Sequence, residues 1–429
     1  MNYEDARAYL DTVSRTGSVL GLDSIRRLMS ELSDPQDDLK FVHVAGTNGK
    51  GSILTFVSSV LMEAGYTVGR YISPSVLGYL ERFQVNGRWM EEAELGKYTE
   101  EVKEAAKRME AKGYPYPTVF ELETAIAFLY FREMKCDLVA LETGMGGSLD
   151  STNIVKTTVV SGFASISMDH VGVLGDTLEE IAAEKAGIIK QSTYVAGGFQ
   201  IPSVEAILKT KAEEKECDYI AAARDTLIYE GHEGAFQVFS YRKFKKLKLS
   251  MQGAYQLENA ATAIDILQAL NTAGYAISED AICQGLKKAK WPGRFMILQG
   301  EPLVIIDGAH NKDAAHRLRE GLDMYFPKQR IFAVAGVFKD KAYESIIEEL
   351  SGRLSGVWTI NLPNATRTLD KNLLADSFTR SGVEAFSSES MEAAIDAGVR
   401  AAKEKQGIVL VTGSLSYLGD AIRYIEKMN

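Results

Sequence analysis

The chain has 429 residues, 46% hydrophobic and 25% charged, a soluble globular balance with length enough for two or three cores rather than one. Its formal net charge of −10 argues against a general nucleic-acid or membrane binder, because attraction to phosphate needs a basic face. No apolar run reaches the roughly 18 to 20 residues that span a bilayer, the N-terminus with Glu4, Asp5 and Arg7 lacks a secretory leader's layout, and three scattered cysteines (Cys136, Cys217, Cys283) without a C-x-x-C pair suit a reduced, cytoplasmic setting.

Strand and helix patterns alternate along the whole chain, which predicts α/β architecture with parallel sheets under covering helices. Phe41 to Ala45 reads as a buried strand. It runs into Gly46-Thr47-Asn48-Gly49-Lys50-Gly51-Ser52, and then into a helix with Ile53, Leu54, Val57, Val60 and Leu61 at core spacing. Further strands are expected at Asp137 to Leu141, Val159 to Ser165 and Thr193 to Gly197. Thr226 to Leu249 predicts an antiparallel hairpin or meander at the edge of this first unit. Amphipathic helices follow over Leu257 to Ala269 and Glu279 to Ala289. Trp291-Pro292-Gly293-Arg294 then breaks the pattern and marks a boundary, dividing the chain into residues 1–292 and 293–429. Beyond it the alternation restarts, with strands at Leu303 to Ile306, Ile331 to Ala335, Gly356 to Ile360 and Ile408 to Val411, enough for a second core.

A strand, a glycine turn with a lysine and a helix together make a phosphate cradle. Backbone N–H groups and the helix N-terminus supply partial positive charge, and Lys50 adds a full one near the β- and γ-phosphates. The Ser52 or Thr47 hydroxyl is placed to reach Mg²⁺. The turn departs from G-x-x-x-x-G-K-[ST], with Val44 where the pattern has glycine and Gly51 where it has a hydroxyl.

Three other polar loops follow predicted strands, where open α/β sheets bind ligands. Leu141-Glu142-Thr143-Gly144-Met145-Gly146-Gly147 offers a carboxylate suited to a phosphate-bound Mg²⁺. Ser167-Met168-Asp169-His170 carries a histidine, by itself better read as a packed residue because imidazole seldom binds Mg²⁺. Ile305-Ile306-Asp307-Gly308-Ala309-His310-Asn311 repeats the arrangement in the second unit, so that Asp307 and His310, with Arg294, would face the nucleotide across a cleft; an N-cap role for Asp307 is the plainer alternative. Lys185, near a helix C-terminus, reads by pattern as a residue complementing the helix dipole.

These segments, with Ser73-Pro74, Glu81-Arg82, Phe120-Glu121, Glu142 through Asn153, Lys185-Ala186-Gly187-Ile188-Ile189-Lys190, Gln256 through Ala261 and Gly293-Arg294-Phe295, stand in the order and spacing of one family. The chain resembles the folylpolyglutamate synthase/dihydrofolate synthase family, relatives of the Mur peptide ligases. The resemblance implies a P-loop-type, mostly parallel N-terminal domain like the Mur central domain and a smaller Rossmann-like C-terminal α/β domain. It implies ATP-dependent joining of L-glutamate to a folate or to dihydropteroate through an acyl phosphate. Gly46 to Ser52, Asn259, Arg294 and Asp307 would then bind ATP. Ser52, Ser73 and Glu142 would hold a first Mg²⁺, and His170 with a carbamylated Lys185 a second. Lys50, His170, Lys185, Arg294, Asp307 and His310 would carry the chemistry, and Arg82, Phe120, Glu121 and Asp150 would meet the substrate. A monomer is expected, because the two domains cover each other's ligand faces.

Three positions depart from the family's habit: Ser75 and Tyr255 replace histidine, and Ser148 replaces arginine. Ser148 tips the expectation towards polyglutamate synthesis. Two rivals are a Mur-type ligase acting on a cell-wall precursor and an ATP-driven switch that transfers no acyl group. The first would carry a UDP-binding domain ahead of the glycine turn, where about 45 residues stand.

Overall fold

Buried apolar runs build one mixed sheet of eight strands: β1 Phe41–Ala45, β2 Val68–Tyr71, β3 Phe83–Val85, β4 Arg88–Trp89, β5 Leu138–Glu142, β6 Thr158–Phe163, β7 Tyr194–Ala196 and β8 Asp218–Ile220. The structure, a computed structural model, describes residues 1–14, 21–298 and 300–428. Strand order is β4-β3-β2-β5-β1-β6-β7-β8; β2 pairs antiparallel with β3, and β5, β1, β6, β7 and β8 continue parallel from β2. Every residue of β1 and β5 is buried, as expected of central strands covered on both faces. Val42 and Val44 pack with Ile53, Phe56 and Leu267 on one face, while Phe41 joins Phe128 and Leu141 on the other.

The stretch expected as a hairpin or meander is a three-stranded meander, β9 Ile228–Glu233, β10 Phe236–Tyr241 and β11 Phe244–Leu249, hydrogen-bonded as its own antiparallel sheet. Its Phe239, Tyr241, Phe244 and Leu247 complete the first core. A six-stranded sheet follows: β12 Met296–Leu298, β13 Val304–Ile306, β14 Ile331–Ala335, β15 Leu354–Thr359, β16 Ala385–Ser387 and β17 Ile408–Thr412, in the order β12-β13-β17-β14-β15-β16. All its pairs are parallel except β12 with β13. The architecture is thus a mostly parallel α/β unit followed by a smaller α/β unit, as expected. Strands β2, β3, β4, β8, β12 and β16 escape sequence reading because they are short and take their strand character from pairing.

Topology decides where chemistry can sit. The carboxyl ends of β5, β1 and β6 lie side by side, and so do those of β13, β17 and β14. No helix among the described residues is long and apolar enough to cross a membrane.

The helix Lys50–Glu63 leads directly out of the glycine turn and is buried from Gly51 to Leu61. It packs against the helices Tyr255–Thr272 and Glu279–Lys288. Close approach there depends on Gly285, where a Cβ would stand 2.5 Å from Val60 Cα and 2.7 Å from its nitrogen. Because the clash is with backbone atoms, Gly285→Ala should cost about 2–3 kcal/mol in overpacking, more than the roughly 1 kcal/mol that alanine gains over glycine in a helix. A lowered urea midpoint with unchanged slope is the expected result; an unchanged or raised midpoint contradicts the contact.

Candidate active site

The glycine turn after β1 is held from three sides. Thr47 N–H donates to Ser165 O (2.8 Å), and the Thr47 hydroxyl exchanges hydrogen bonds with the Ser167 backbone at 3.0 Å in both directions, which ties the turn to the loop after β6. That engagement leaves Ser52, not Thr47, as the hydroxyl open to a ligand's ion. Gly49 caps the helix at φ +100°, where a Cβ would meet Asn259 Oδ1 at 2.4 Å. Only glycine satisfies both conditions. Asn259 is oriented by Gln256 Oε1 (3.0 Å), and Gln256 Nε2 donates in turn to Ser52 Oγ (3.2 Å).

The turn lines a cavity of about 420 Å³ together with Ser73, Glu142 and His170. Asn259, Arg294, Asp307 and His310 complete the wall. The structure therefore brings the loops after β1, β5, β6 and β13 to one space. Lys50 Nζ lies 3.8 Å from Glu142 Oε1 and bonds the Gly46 carbonyl (3.2 Å). Burial pushes the Glu142 carboxyl up, while Lys50 and the Ser73 N–H, 3.4 Å away, pull it down. Glu142, Ser52 and Ser73 are hard oxygen donors on that wall, of the kind that could hold a phosphate-bound Mg²⁺. Among the described residues no cluster of three His, Cys, Asp or Glu could grip a metal unaided.

Lys185 is not the surface residue its helix position suggests. It is 4% exposed, and its Nζ bonds Gly46 O at 3.0 Å. Burial, reinforced by Lys50, pushes its ammonium down to about 7. His170, 41% exposed at its side chain, sits in the left-handed region at φ +52° with Nε2 3.9 Å from Asp169 Oδ2, and partial desolvation with the nearby Lys341, Lys185 and Lys50 pushes its imidazole down.

Asp307 is nearly fully buried and accepts from Phe295 N–H (2.8 Å), Ala309 N–H (2.9 Å) and the Tyr255 hydroxyl (2.9 Å). The N-cap of the next helix is Asn311, so Asp307 is free of that duty. His310 donates from Nδ1 to Gly308 O (2.9 Å), which leaves Nε2 as an acceptor, and burial pushes its imidazole down to about 4. Across the cleft Asn48 Nδ2 donates to Asn311 Oδ1 (3.2 Å) and Asp313 Oδ2 (2.8 Å), and Lys341 pairs with Asp169 at 3.1 Å. Burial alone would raise the Asp169 carboxyl; Lys341 and His170 bring it down to about 2.

A second cavity adjoins the first, with Ser73, Pro74, Gly144 and Arg367 lining both. Arg82, Phe120 and Asp150 are on its wall, beside Tyr79 and Glu123. Arg82 is tied to Glu123, whose other oxygen accepts from the Tyr79 hydroxyl (2.9 Å). Glu121 is on neither wall. Its carboxylate accepts from Thr118 N–H (2.7 Å) and hydroxyl (2.9 Å), capping the helix Val119–Glu133. Ser148 also lines neither cavity and donates to Glu184 O (3.0 Å), so the expected influence of that position on acceptor choice has no contact behind it. Sequence reading passed over Lys341, Arg367, Ser414 and Ser416, all on the first cavity's wall. Lys341 and the two serines follow β14 and β17, the same strand-end signal that singled out Asp307. Arg367 lies in an irregular loop and gives no such signal.

The phosphate cradle and facing second sheet define a nucleotide-dependent ligase of Mur type. Residues 44–267 match the Mur ligase middle domain, and residues 293–415 match the Mur ligase glutamate ligase domain. The dihydrofolate synthase/folylpolyglutamate synthase of Bacillus subtilis is 35% identical over 97% of this chain and 98% of its own length. Among solved structures, Mycobacterium tuberculosis folylpolyglutamate synthase complexed with ADP and AMPPCP superposes with a TM-score of 0.89 at 25% identity, covering 98% of each chain. Escherichia coli FolC in complex with DHPP and ADP superposes at 0.86, with 30% identity over 100% of this chain and 98% of that one. The chain belongs to the dihydrofolate synthase/folylpolyglutamate synthase family, and it is an ATP-dependent ligase.

Two desolvated imidazoles bear on acid stability, the buried His43 and the half-buried His310. His43, fully buried on β1, is pushed down to about 3 by burial and by Lys190. His43 and His310 stay neutral when folded but take up a proton on unfolding below about 6.5, the ordinary histidine value. The unfolded state thus binds more protons over that window, and acid favours it. Each histidine should cost about 1.4 kcal/mol of stability per pH unit, from about 6.5 down to its folded value. Urea unfolding of His310→Gln at pH 6 and pH 5 should show a shallower loss than the parent by about that amount. Equal losses in both proteins contradict the neutral state of the half-buried His310.

Proposed function

We propose that the chain uses ATP to join L-glutamate to a folate, with dihydropteroate as a further acceptor. The observation that carries this is the shared wall of the two cavities, where a triphosphate on the glycine turn would meet a carboxylate held in the second pocket. A carboxylate does not lose oxide to an amine, so it must first be activated. The acceptor carboxylate attacks the γ-phosphorus, forming a C–O–P linkage and releasing ADP. The amine of glutamate then attacks the acyl carbon, a C–N bond forms, phosphate leaves and the amine gives up a proton.

The protein's work is positioning and charge neutralisation. Lys50 and Arg294 would offset charge on the moving phosphoryl group, with Asn259, Asp307 and the backbone from Gly46 to Gly51 holding the nucleotide. Ser52, Ser73 and Glu142 would hold one Mg²⁺, and His170 and Lys185 a second. These ions supply charge stabilisation on the phosphate oxygens. A neutral buried amine is the form that takes up CO₂, so the environment of Lys185 supports its carbamylation, which would turn a cation into an oxygen ligand. Arg82, Phe120 and Asp150 would wall the acceptor, whereas Glu121 would act only by capping its helix. Arg367, with Asp340 on its guanidinium at 2.8 Å, is the C-terminal residue common to both cavities and suits a carboxylate of glutamate. We take residues 1–292 and 293–429 as the two domains, supported by the separate sheets on either side of Gly293, and the chain as a cytoplasmic monomer.

Phosphate release measured with purified protein and ATP should require acceptor and glutamate together, and Lys50→Ala should abolish it while leaving thermal unfolding unchanged. Release indifferent to both substrates would favour the switch reading. Near-normal turnover in Lys50→Ala would remove the phosphate cradle.

A further inference from the structure

His43 is a fully buried imidazole with no place in the mechanism above. It stands mid-strand on β1, three residues before the glycine turn, with Leu141 and Ser161 as its register neighbours. Its Nε2 is 2.9 Å from Thr152 Oγ1, and its Nδ1 has no hydrogen-bond partner among the described residues. Thr152 Oγ1 lies 2.5 Å from Asp150 Oδ1. Asp150 also accepts from Thr152 N–H (3.0 Å) and Met145 N–H (2.7 Å). His43, Thr152 and Asp150 therefore form one chain, ending on the turn between β5 and the second cavity.

Two proton arrangements fit these heavy atoms. With Asp150 ionised, the Thr152 hydroxyl donates to it and accepts from His43 Nε2–H. With Asp150 protonated, its O–H points at Thr152, the Thr152 hydroxyl donates to Nε2, and the ring proton moves to Nδ1. The second arrangement strands a buried N–H donor, whereas the first strands only an acceptor lone pair. Orphaned buried N–H groups are the rarer defect. Two backbone N–H groups aimed at Asp150 also favour a pure acceptor. Burial pushes the Asp150 carboxyl up, and these donors oppose it.

We propose that His43 is a positioning residue for the acceptor: its Nε2–H fixes the Thr152 hydroxyl on an ionised Asp150, and that anion clamps the Gly144–Met145 turn against the second cavity. The inference rests on the reading of that cavity as the acceptor pocket. Gly144 and Met145 are on its wall, and Gly144 is shared with the first cavity. Phe120 closes on the same turn, since a Cβ on Gly144 would stand 2.5 Å from its ring. The hydrogen bonds of Asp150 to Thr152 and Met145 are thus all made within its own loop. Its contribution is to hold the wall rather than to take a substrate proton.

Steady-state kinetics of Thr152→Val, Thr152→Ser and Phe120→Ala, read against the thermal melt of each, test this. Thr152→Val should raise the KM for the acceptor roughly tenfold, the effect of losing one hydrogen bond to a charged group. The KM for ATP should stay within about twofold, and Thr152→Ser should restore the acceptor KM. Phe120→Ala tests the pocket itself. If it leaves the acceptor KM unchanged, the pocket assignment fails and the relay serves nothing. If it raises that KM while Thr152→Val does not, the relay alone is overturned. Nitrogen-15 NMR of histidine-labelled parent protein needs no variant to fold: a neutral His43 protonated on Nε2 is expected, and protonation on Nδ1 overturns the proposal.

Discussion

Strand ends in a parallel sheet expose backbone groups that no neighbour satisfies, and here two such sets of ends share one space. The amides of Asn48 and Asn311 hold them face to face, each donating to the other at 3.2 Å. Asp169 reinforces the contact by accepting from Lys341. Everything else in the site follows from this apposition. The glycine turn supplies N–H groups and Lys50 from one side; Asp307, His310 and Arg294 come from the other. Neither half alone encloses a triphosphate.

The arrangement also resolves the problem of charge. A chain with net charge −10 must attract a polyanionic nucleotide and acidic substrates. Lys50, Arg294, Arg317, Lys341 and Arg367 line the first cavity beside Glu142, Asp169, Glu258, Asp307 and Asp313, so its wall carries balanced charge where the chain as a whole is acidic. Lys185 is not among the residues of that wall. Pressed against Gly46 O and close to Lys50, it loses its proton readily. The two cavities share part of their wall. Gly144 belongs to both walls, and its turn is fixed by Asp150, itself tied through Thr152 to the middle of β1.

Sequence made the glycine turn, Glu142 and the Asp307 loop legible for one physical reason: each follows a buried strand directly, and polar residues there have few other uses. The order of the two α/β units was legible because strand and helix periods alternate without interruption until Trp291-Pro292-Gly293. Lys185 was illegible by pattern because a helix-terminal lysine looks the same whether it points to water or to a buried carbonyl. Glu121 misled in the opposite sense, since the capping box with Thr118 uses the same residue types as a polar site. Arg367 reaches the cleft from a loop without regular structure, a placement no local pattern encodes. Thr47 and Ser52, equivalent as hydroxyls in the sequence, are separated by the bridge between the glycine turn and the loop after β6.

Joint grip on one nucleotide by both sheets is the claim on which the rest stands. It is tested most directly by a crystal structure of the chain with Mg²⁺ and a non-hydrolysable ATP analogue. The expected complex has the triphosphate along Lys50 and the 46–52 backbone, with Arg294 and the Asp307–His310 loop in contact with the same molecule. A nucleotide bound wholly within one half, with the opposite sheet's loops turned away to solvent, would contradict it.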